Sequence, residues 1–502
     1  MSDEQTIVLV GAGQLVQRDV DPVAALEPVA MMAEAARRAA HDTGAGPRLL
    51  AKIDVVAVPN IIGWHYANPP GLLAERIGAR PAESLYTTIG GNTPQWLVNA
   101  LAARIVRGEV KLALIAGAEA LATQARARRA GVALAWTADG TGSPTLIGDR
   151  RAGTNDHEAA HGLQLPVQIY PLFENALRAV RRSDIAAHTA MLGRLCAGLS
   201  AVAAGNPYAW FRQVRTAQEI ATVSSDNRLI AFPYPKYMNA IMEVDQAAAV
   251  LLTSAATARQ LGIPQSRWVY LLGAGDAHDH WWVSERTSYV SSPALRAAAA
   301  HALAQADTDI SAIDFVDLYS CFPSAVQVAR DAVGIGESDP RPLTVTGGLP
   351  YAGGPGNNYV THAIAAMMKA LRGRPGATGL VTGLGWYITK HSVGVYGTRP
   401  PERPWAAQED AALQQELDAA PHPPLVQQAQ GRGTIETYTV LYDRDGGPVR
   451  GIVIGRLADG SRFLANTPAG RDVLEELAST EGVGRPGRVG AVAGGMNQFD
   501  PD

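Results

Sequence analysis

The sequence predicts an α/β fold in which one strand and helix series is used twice, with a large insertion and a small β-rich domain at the end. Three observations carry that expectation. Short β-branched runs alternate with segments in helical spacing, the pattern of a mostly parallel sheet flanked by helices. The series strand, helix, strand, glycines, helix, strand occupies the first 120 residues and returns between residues 268 and 385. Both copies also open their second strand with an Ile-Asp pair, Ile53-Asp54 and Ile313-Asp314.

In the first copy, residues 7–10 read as a strand running into Gly11-Ala12-Gly13, and a helix follows over 22–40. The unbroken apolarity of 53–58 fits a strand buried on both faces. Gly90-Gly91-Asn92 opens a helix over 94–107, and a strand at 112–116 ends in Gly117-Ala118-Glu119. In the second copy, 268–272 run into Gly273-Ala274-Gly275, a helix covers 294–305, and 313–318 stands beside 53–58. A glycine-rich passage at 347–358 precedes a helix over 360–371, and 379–381 lead into Gly383-Leu384-Gly385.

The two halves are expected to take residues 1–121 with 236–262, and 263–398. Residues 122–235 lose the rhythm and read as a partly helical inserted domain, with helical spacing at 169–182 and 184–199. Six prolines between Pro400 and Pro424 mark 399–424 as a linker containing a short polar helix. Residues 425–502 predict a small antiparallel domain: 434–442 and 449–457 flank Asp443-Arg444-Asp445-Gly446-Gly447, a turn at Asp459-Gly460 precedes another strand, and a helix lies near 471–477.

Composition narrows the function classes. Of 502 residues, 43 Lys and Arg against 47 Asp and Glu leave a net charge of -4, with no basic excess for nucleic acid or a membrane surface. A hydrophobic fraction of 47% supplies a core for each domain. Two cysteines cannot staple a chain of this size, and no charged-then-apolar leader opens it, so a cytoplasmic setting is expected. Apolar runs such as 247–252 fall short of the roughly 20 residues of a membrane span.

Three motifs invite chemistry. His157-Glu158-Ala159-Ala160-His161 spells the zinc-protease pattern, but Gly162 and Pro166 cut the helix short and no third ligand stands at the extended spacing. No metal is expected, and the pair reads as two exposed histidines near a helix start. Gly11-Ala12-Gly13 lacks the third glycine of a dinucleotide loop, since Val16 stands there. His278-Asp279-His280-Trp281-Trp282 follows a strand, where ligand-binding loops gather, although a packed corner is the commoner outcome.

Two βαβ halves around a large insertion resemble the thiolase superfamily, and the details resemble its sterol-carrier-protein-2-like branch over residues 6–398. Arg107-Gly108-Glu109-Val110 with 114–119 is similar to the segment after the family's nucleophile. Asp317-Leu318-Tyr319-Ser320-Cys321-Phe322 is similar to its His-Asp-Cys-Phe element, and 347–356 to its Gly-His-Pro loop. The final module resembles the additional C-terminal domain of type 1 thiolase-like proteins. The resemblance implies a duplicated five-layer αβαβα core that binds CoA or an acyl-CoA as ligand and carries no cofactor.

Active members use a cysteine at a helix N-terminus, a histidine that activates it and a second cysteine. Carried over, the nucleophile falls on Gly91, with Asn92 next to it, and the histidine on Gly354. The third element's Asn or His is Tyr319. Only Cys321 keeps the chemistry of a second cysteine, while the family's last cysteine falls at Thr382 or Gly383 and its glycine on Gly385. Losing two members of a concerted set removes ordinary thiolase activity. The resemblance therefore implies a degenerate acyltransferase holding its ligand with Gly91, Asn92, Gly353, Gly354 and Gly385. One alternative is an acyltransferase or carbon-carbon lyase working through Cys321, Tyr319 or His391. Another is a structural subunit of an active partner. Lys390 and His391 are expected near Tyr319 and Cys321 and could serve acid/base work, although an exposed position past the pocket is the simpler reading. Homodimer and monomer stay open.

Overall fold

The computed structural model describes residues 4–137, 139–407 and 411–502. The first half runs β1 (Ile7–Val16), α1 (Pro28–Asp42), β2 (Val55–Val58), α2 (Pro69–Ile77), β3 (Glu83–Thr87), α3 (Thr93–Val106) and β4 (Leu112–Ala120). The insertion follows as α4 (Leu121–Ala130), β5 (Thr145–Ile147), α5 (Asp156–Ala160), α6 (Pro166–Val180), α7 (Ile185–Gly205), α8 (Ala217–Ala221), β6 (Leu229–Ala231) and β7 (Tyr234–Pro235). β8 (Asp245–Ser254) and α9 (Ala255–Gln260) return to the core. The second half is β9 (Val269–His278), α10 (Pro293–Gln305), β10 (Phe315–Asp317), α11 (Pro323–Val333), α12 (Tyr359–Gly373), β11 (Thr378–Gly385) and β12 (Lys390–Gly397).

The duplication is visible in the sheet. Its order is β10-β11-β12-β9-β1-β8-β4-β2-β3-β5, and the halves meet where Val8 and Leu9 pair with Tyr270 and Val269. Outward from that seam each half repeats the same pairings: antiparallel, antiparallel, then parallel. Side chains alternate across the strands. Ile7, Leu9, Val269 and Leu271 join the core around α3 and α12, whereas Val8, Val10 and Tyr270 join the one around α1 and α10. Helices α3 and α12 touch strands of both half-sheets, giving the five-layer order of outer helices, half-sheet, inner helices, half-sheet, outer helices.

Two sequence signatures now have causes. Asp54 accepts the backbone N–H groups of Lys111 and Leu112 at the start of β4, and Asp314 accepts that of Thr378 at the start of β11. The Ile-Asp pair therefore ties the second strand of each half to its neighbour. The paired glycines lie inside β1 and β9 rather than in loops after them. A β-carbon at Gly11 or Gly13 would run into the carbonyls of Ala39 and Ala35 on α1, and one at Gly273 or Gly275 into those of Ala302 and Ala298 on α10. They serve close helix packing, which needs no third glycine. Helix α1 begins at Pro28 rather than Pro22, because Glu27 ahead of it is extended at ψ 161°.

The insertion does not stand apart from the rest. β5 pairs parallel with β3, extending the sheet at that edge, and β6 pairs with a strand of the C-terminal domain. Contrary to the short apolar runs read from the sequence, α7 is long and apolar enough to span a membrane by length and composition. Leu192, Cys196 and Leu199 on its inner side belong to the central core. After α13 (Ala411–Asp418) in the linker come β13 (Gly431–Tyr442), β14 (Pro448–Leu457), β15 (Arg462–Asn466), α14 (Arg471–Ser479), β16 (Pro486–Ala491) and β17 (Asn497–Pro501). Pairings β13–β14–β15–β17–β16–β13 close on themselves, so this domain is a small barrel with α14 against β14. Closure removes the free edges of an open sheet.

Candidate functional site

Gly91 lies just before α3, whose N-cap is Asn92. A β-carbon on Gly91 would collide with the Tyr319 hydroxyl and lie 2.6 Å from the Leu384 carbonyl oxygen. Tyr319 is fixed from behind, since its N–H donates to Thr382 Oγ1 at 2.9 Å. Thus three positions that the resemblance singles out, Gly91, Tyr319 and Thr382, meet in the fold, and the Tyr319 hydroxyl stands where a Gly91 side chain would. Gly383 and Gly385 complete this wall against Asn92: a β-carbon on Gly383 would lie 2.9 Å from Asn92 Cα, and one on Gly385 would overlap Asn92 Oδ1.

Cys321 lies beside Tyr319 and Tyr170, and Tyr170 stacks on Phe322 with ring centroids 4.5 Å apart. Burial pushes the Cys321 thiol up to about 12, so it is not a thiolate at neutral pH. Cys196 is likewise pushed to about 12 by burial on α7. Gly354 donates its N–H to the Ile241 carbonyl at 2.8 Å, and no imidazole stands in its place. Gly353 has φ +106° and faces Gln246, so no side chain fits there.

The simpler reading, which placed Lys390 and His391 on an exposed segment past the pocket, is overturned. Both are buried, and as neighbours in β12 they face opposite sides of the sheet. His391 Nε2 lies 3.2 Å from Asp279 Oδ2 and 3.1 Å from Ser292 Oγ, at the N-cap of α10. Burial would raise the Asp279 carboxyl, but the His391 contact and the Arg286 charge outweigh it and hold it low. His391 is thus held by Asp279 and Ser292 of the second half, while the residue also borders the cleft that Lys390 faces.

Lys390 faces the other way, into a cleft of about 500 Å³ lined by Asn92, Thr93, Trp96, Asp276, His278 and Trp281. The strand register explains the set: His278 is opposite Lys390 and Asp276 opposite Ser392, so all four share one face of the β9–β12 pair. Asn92 Nδ2 donates to Ser392 Oγ at 3.2 Å, leaving Asn92 Oδ1 buried without a partner. Tyr396 donates to Gln95, Gln95 to Asn99, and Asn99 to Asp276 Oδ2, a polar chain running between α3 and the two strands. Burial raises the Asp276 carboxyl to about 6 against its hydrogen bonds from Ser392 and Asn99. Burial also lowers the Lys390 ammonium to about 8, with Asp149 opposing and Arg151 assisting. Its Nζ donates to the Ile89 carbonyl and lies 5.8 and 5.7 Å from the Trp281 and Trp386 ring centres. Gln414 of α13 reaches over the rim to His278 N–H and C=O, so the linker helix closes one side.

The remaining motifs are structural. His161 is fully buried rather than exposed: Nδ1 meets the His157 carbonyl at 2.8 Å and Nε2 accepts the Asn497 N–H at 2.9 Å. Glu158 accepts from Ser284 N–H at 2.6 Å. The zinc-like spelling docks the C-terminal barrel. In His278-Asp279-His280-Trp281-Trp282, His278 and Trp281 line the cleft, Asp279 holds His391, and His280 lies 4.7 Å from the His422 ring of the linker.

A duplicated five-layer core whose nucleophile helix, third element and last glycine loop converge defines a thiolase-fold protein. The monomeric SCP2-thiolase-like protein type 1 from Mycobacterium smegmatis is 37% identical, with 99% of each chain covered and a TM-score of 0.86. This chain therefore belongs to the SCP2-thiolase-like proteins of type 1. The model of the thiolase-like protein type 1 additional C-terminal domain matches residues 412–492. The fold also matches human mitochondrial 3-ketoacyl-CoA thiolase solved with CoA (16% identity, 79% of this chain and 99% of that one covered, TM-score 0.53). Acetyl-CoA acetyltransferase from Syntrophomonas wolfei matches at 14% identity, 78% of this chain, 99% of the other and a TM-score of 0.54. Among curated proteins no significant match exists.

Proposed function

We propose that this chain is a CoA or acyl-CoA binding thiolase homologue that forms no acyl-enzyme. The observation that carries the reading is the Tyr319 hydroxyl in the space of a Gly91 side chain. Thioester exchange needs a thiolate at the end of α3 and a base beside it. Gly91 and Gly354 offer neither, and the buried Cys321 thiol stays protonated. The ligand is proposed to enter the cleft at Asn92, where the N-terminus of α3 and Lys390 favour an anionic or strongly polar group. At about 500 Å³ the space is within the usual range for a small ligand or the acyl end of a larger one. Gly353 and Gly354 do not line this cleft and face Gln246 and Ile241 instead. A monomer fits this reading, since the 37% identical relative is described as monomeric.

Incubation with acetyl-CoA and acetoacetyl-CoA, followed by intact-mass measurement, is expected to leave the protein unacylated, while CoA raises its melting temperature. An acyl adduct on Cys321 would establish the acyltransferase alternative. No thermal shift at saturating CoA would favour the role of a structural subunit.

A further inference from the structure

Only five of the 43 cationic residues of this chain are lysines. Lys52, Lys111, Lys236 and Lys369 are exposed, and Lys390 is buried in the cleft beside Asn92. Arginine serves nearly every other cationic position, including buried ones such as Arg178, Arg286 and Arg462. What lysine offers that arginine does not is an amine that can lose its proton and attack. The geometry points to Lys390 as a carbonyl-trapping amine, forming an imine with a small aldehyde or ketone admitted to this cleft.

The surroundings suit that chemistry. Burial in the cleft desolvates the amine and the N-terminus of α3 lies alongside, both disfavouring an added proton, while the Trp281 and Trp386 ring faces 5.8 and 5.7 Å away favour it weakly. The charged and titratable neighbours are Asp149 and Arg151 after β5, His278 and Asp276 on β9, His391 beside Lys390 on β12, and Asp418 on α13, which lies 3.6 Å from His278. α3 contributes neutral groups to the lining, Asn92, Thr93 and Trp96. The Lys390 nitrogen attacks the carbonyl carbon, and the carbonyl oxygen takes up a proton to give a carbinolamine. That hydroxyl then leaves as water as the nitrogen loses its remaining protons, so amine and carbonyl become imine and water with no redox change. Asp276, on the same face of the strand pair and protonated in part near pH 6, can supply the proton that water departure requires. The inference concerns the cleft proposed for CoA but does not depend on CoA binding.

The test treats the full-length protein at pH 7 with butyraldehyde and sodium cyanoborohydride and maps the alkylated lysines by peptide mass. An amine near 8 has a neutral fraction about two orders of magnitude above that of an ordinary lysine near 10.4, partly offset by weaker intrinsic nucleophilicity. Lys390 is expected to react at least about tenfold faster than the four exposed lysines, which serve as internal standards, with its rate levelling off near pH 8. Modification of Lys390 no faster than the exposed lysines would overturn the proposal. So would a rate at Lys390 that keeps rising through pH 10. Because the readout is taken on the unaltered chain, it does not depend on a variant folding. A missing thermal shift with CoA would leave it standing.

Discussion

The hydroxyl of Tyr319 occupies the space that a β-carbon on Gly91 would need, and the two positions come from opposite halves of the duplicated core. Gly91 precedes the inner helix of the first half, and Tyr319 follows β10 of the second. Restoring a sulfur therefore requires clearing a phenol as well. Gly91→Cys alone is expected to cost about 1–3 kcal/mol by overpacking. The double variant Gly91→Cys with Tyr319→Ala should recover part of that cost, giving a coupling well outside additivity. Urea denaturation of the wild type, both single variants and the double variant measures it. Additive losses would mean that the two side chains do not compete for one space.

Much of the scaffold was legible because its signals are local. The Ile-Asp pairs and the Gly-Ala-Gly pairs each perform one backbone task, and both halves perform it with the same residues. Glycine at 91 and 354, the positions that the resemblance assigns to the family's cysteine and histidine, was plain in the sequence. The cleft was not. It exists only when β9 and β12 pair, β5 joins the sheet edge and α13 folds back, contacts between residues at least 60 apart in the chain. One signal went unused: Lys390 and His391 are adjacent in a strand, so alternation alone separates them to opposite faces. The burial of His161 depends on a domain more than 300 residues away, which no spacing rule could reveal.

The symmetric carboxylates provide a test of the duplication. Asp54→Ala strands the N–H groups of Lys111 and Leu112, and Asp314→Ala that of Thr378. Each is expected to cost about 1–2 kcal/mol, since both sites are half-buried and water can replace part of the loss. The sites belong to separate halves and share no partner, so the double variant should add within roughly 0.5 kcal/mol. A strongly sub-additive double variant would contradict two independent ties.

Stability should fall with mild acid. Burial lowers His157 to about 4 and His362 to about 3, and lowers His161 as well, so these rings are neutral in the fold. The unfolded chain protonates them near 6.5. Between those values the unfolded state binds more protons, so stability is present in full above about pH 6.5 and is lost as pH drops toward 4. Their contribution to the urea midpoint should therefore decrease from pH 7.5 to 5, against an opposite contribution from Asp276 and Glu119, whose carboxyls burial raises to about 6 and about 7. Replacing His362 with Gln should flatten that decrease, because one buried ring no longer has to stay neutral. An unchanged slope in that variant would remove His362 from the explanation.

Arg462 makes the sharpest prediction for the C-terminal barrel. Its guanidinium is fully buried, pairs with Glu436 at 2.8 Å, and donates to the Ser284 and Arg286 carbonyl oxygens at 2.9 and 2.6 Å. One planar fork thus binds a carboxylate of the barrel and two backbone acceptors of the thiolase-like core. Arg462→Ala leaves those acceptors unpaired in a dry interface, and removing one partner of such a buried pair typically costs about 3–5 kcal/mol. Arg462→Lys keeps the charge but cannot reach all three acceptors in one plane, so it should recover only part of the loss. Because the contacts cross between barrel and core, the loss should show as undocking: in Arg462→Ala, limited proteolysis should cut the proline-rich linker around residues 419–424 faster than in the wild type. If the linker is cut at the wild-type rate while overall stability drops, Arg462 supports the barrel from within rather than fastening it to the core.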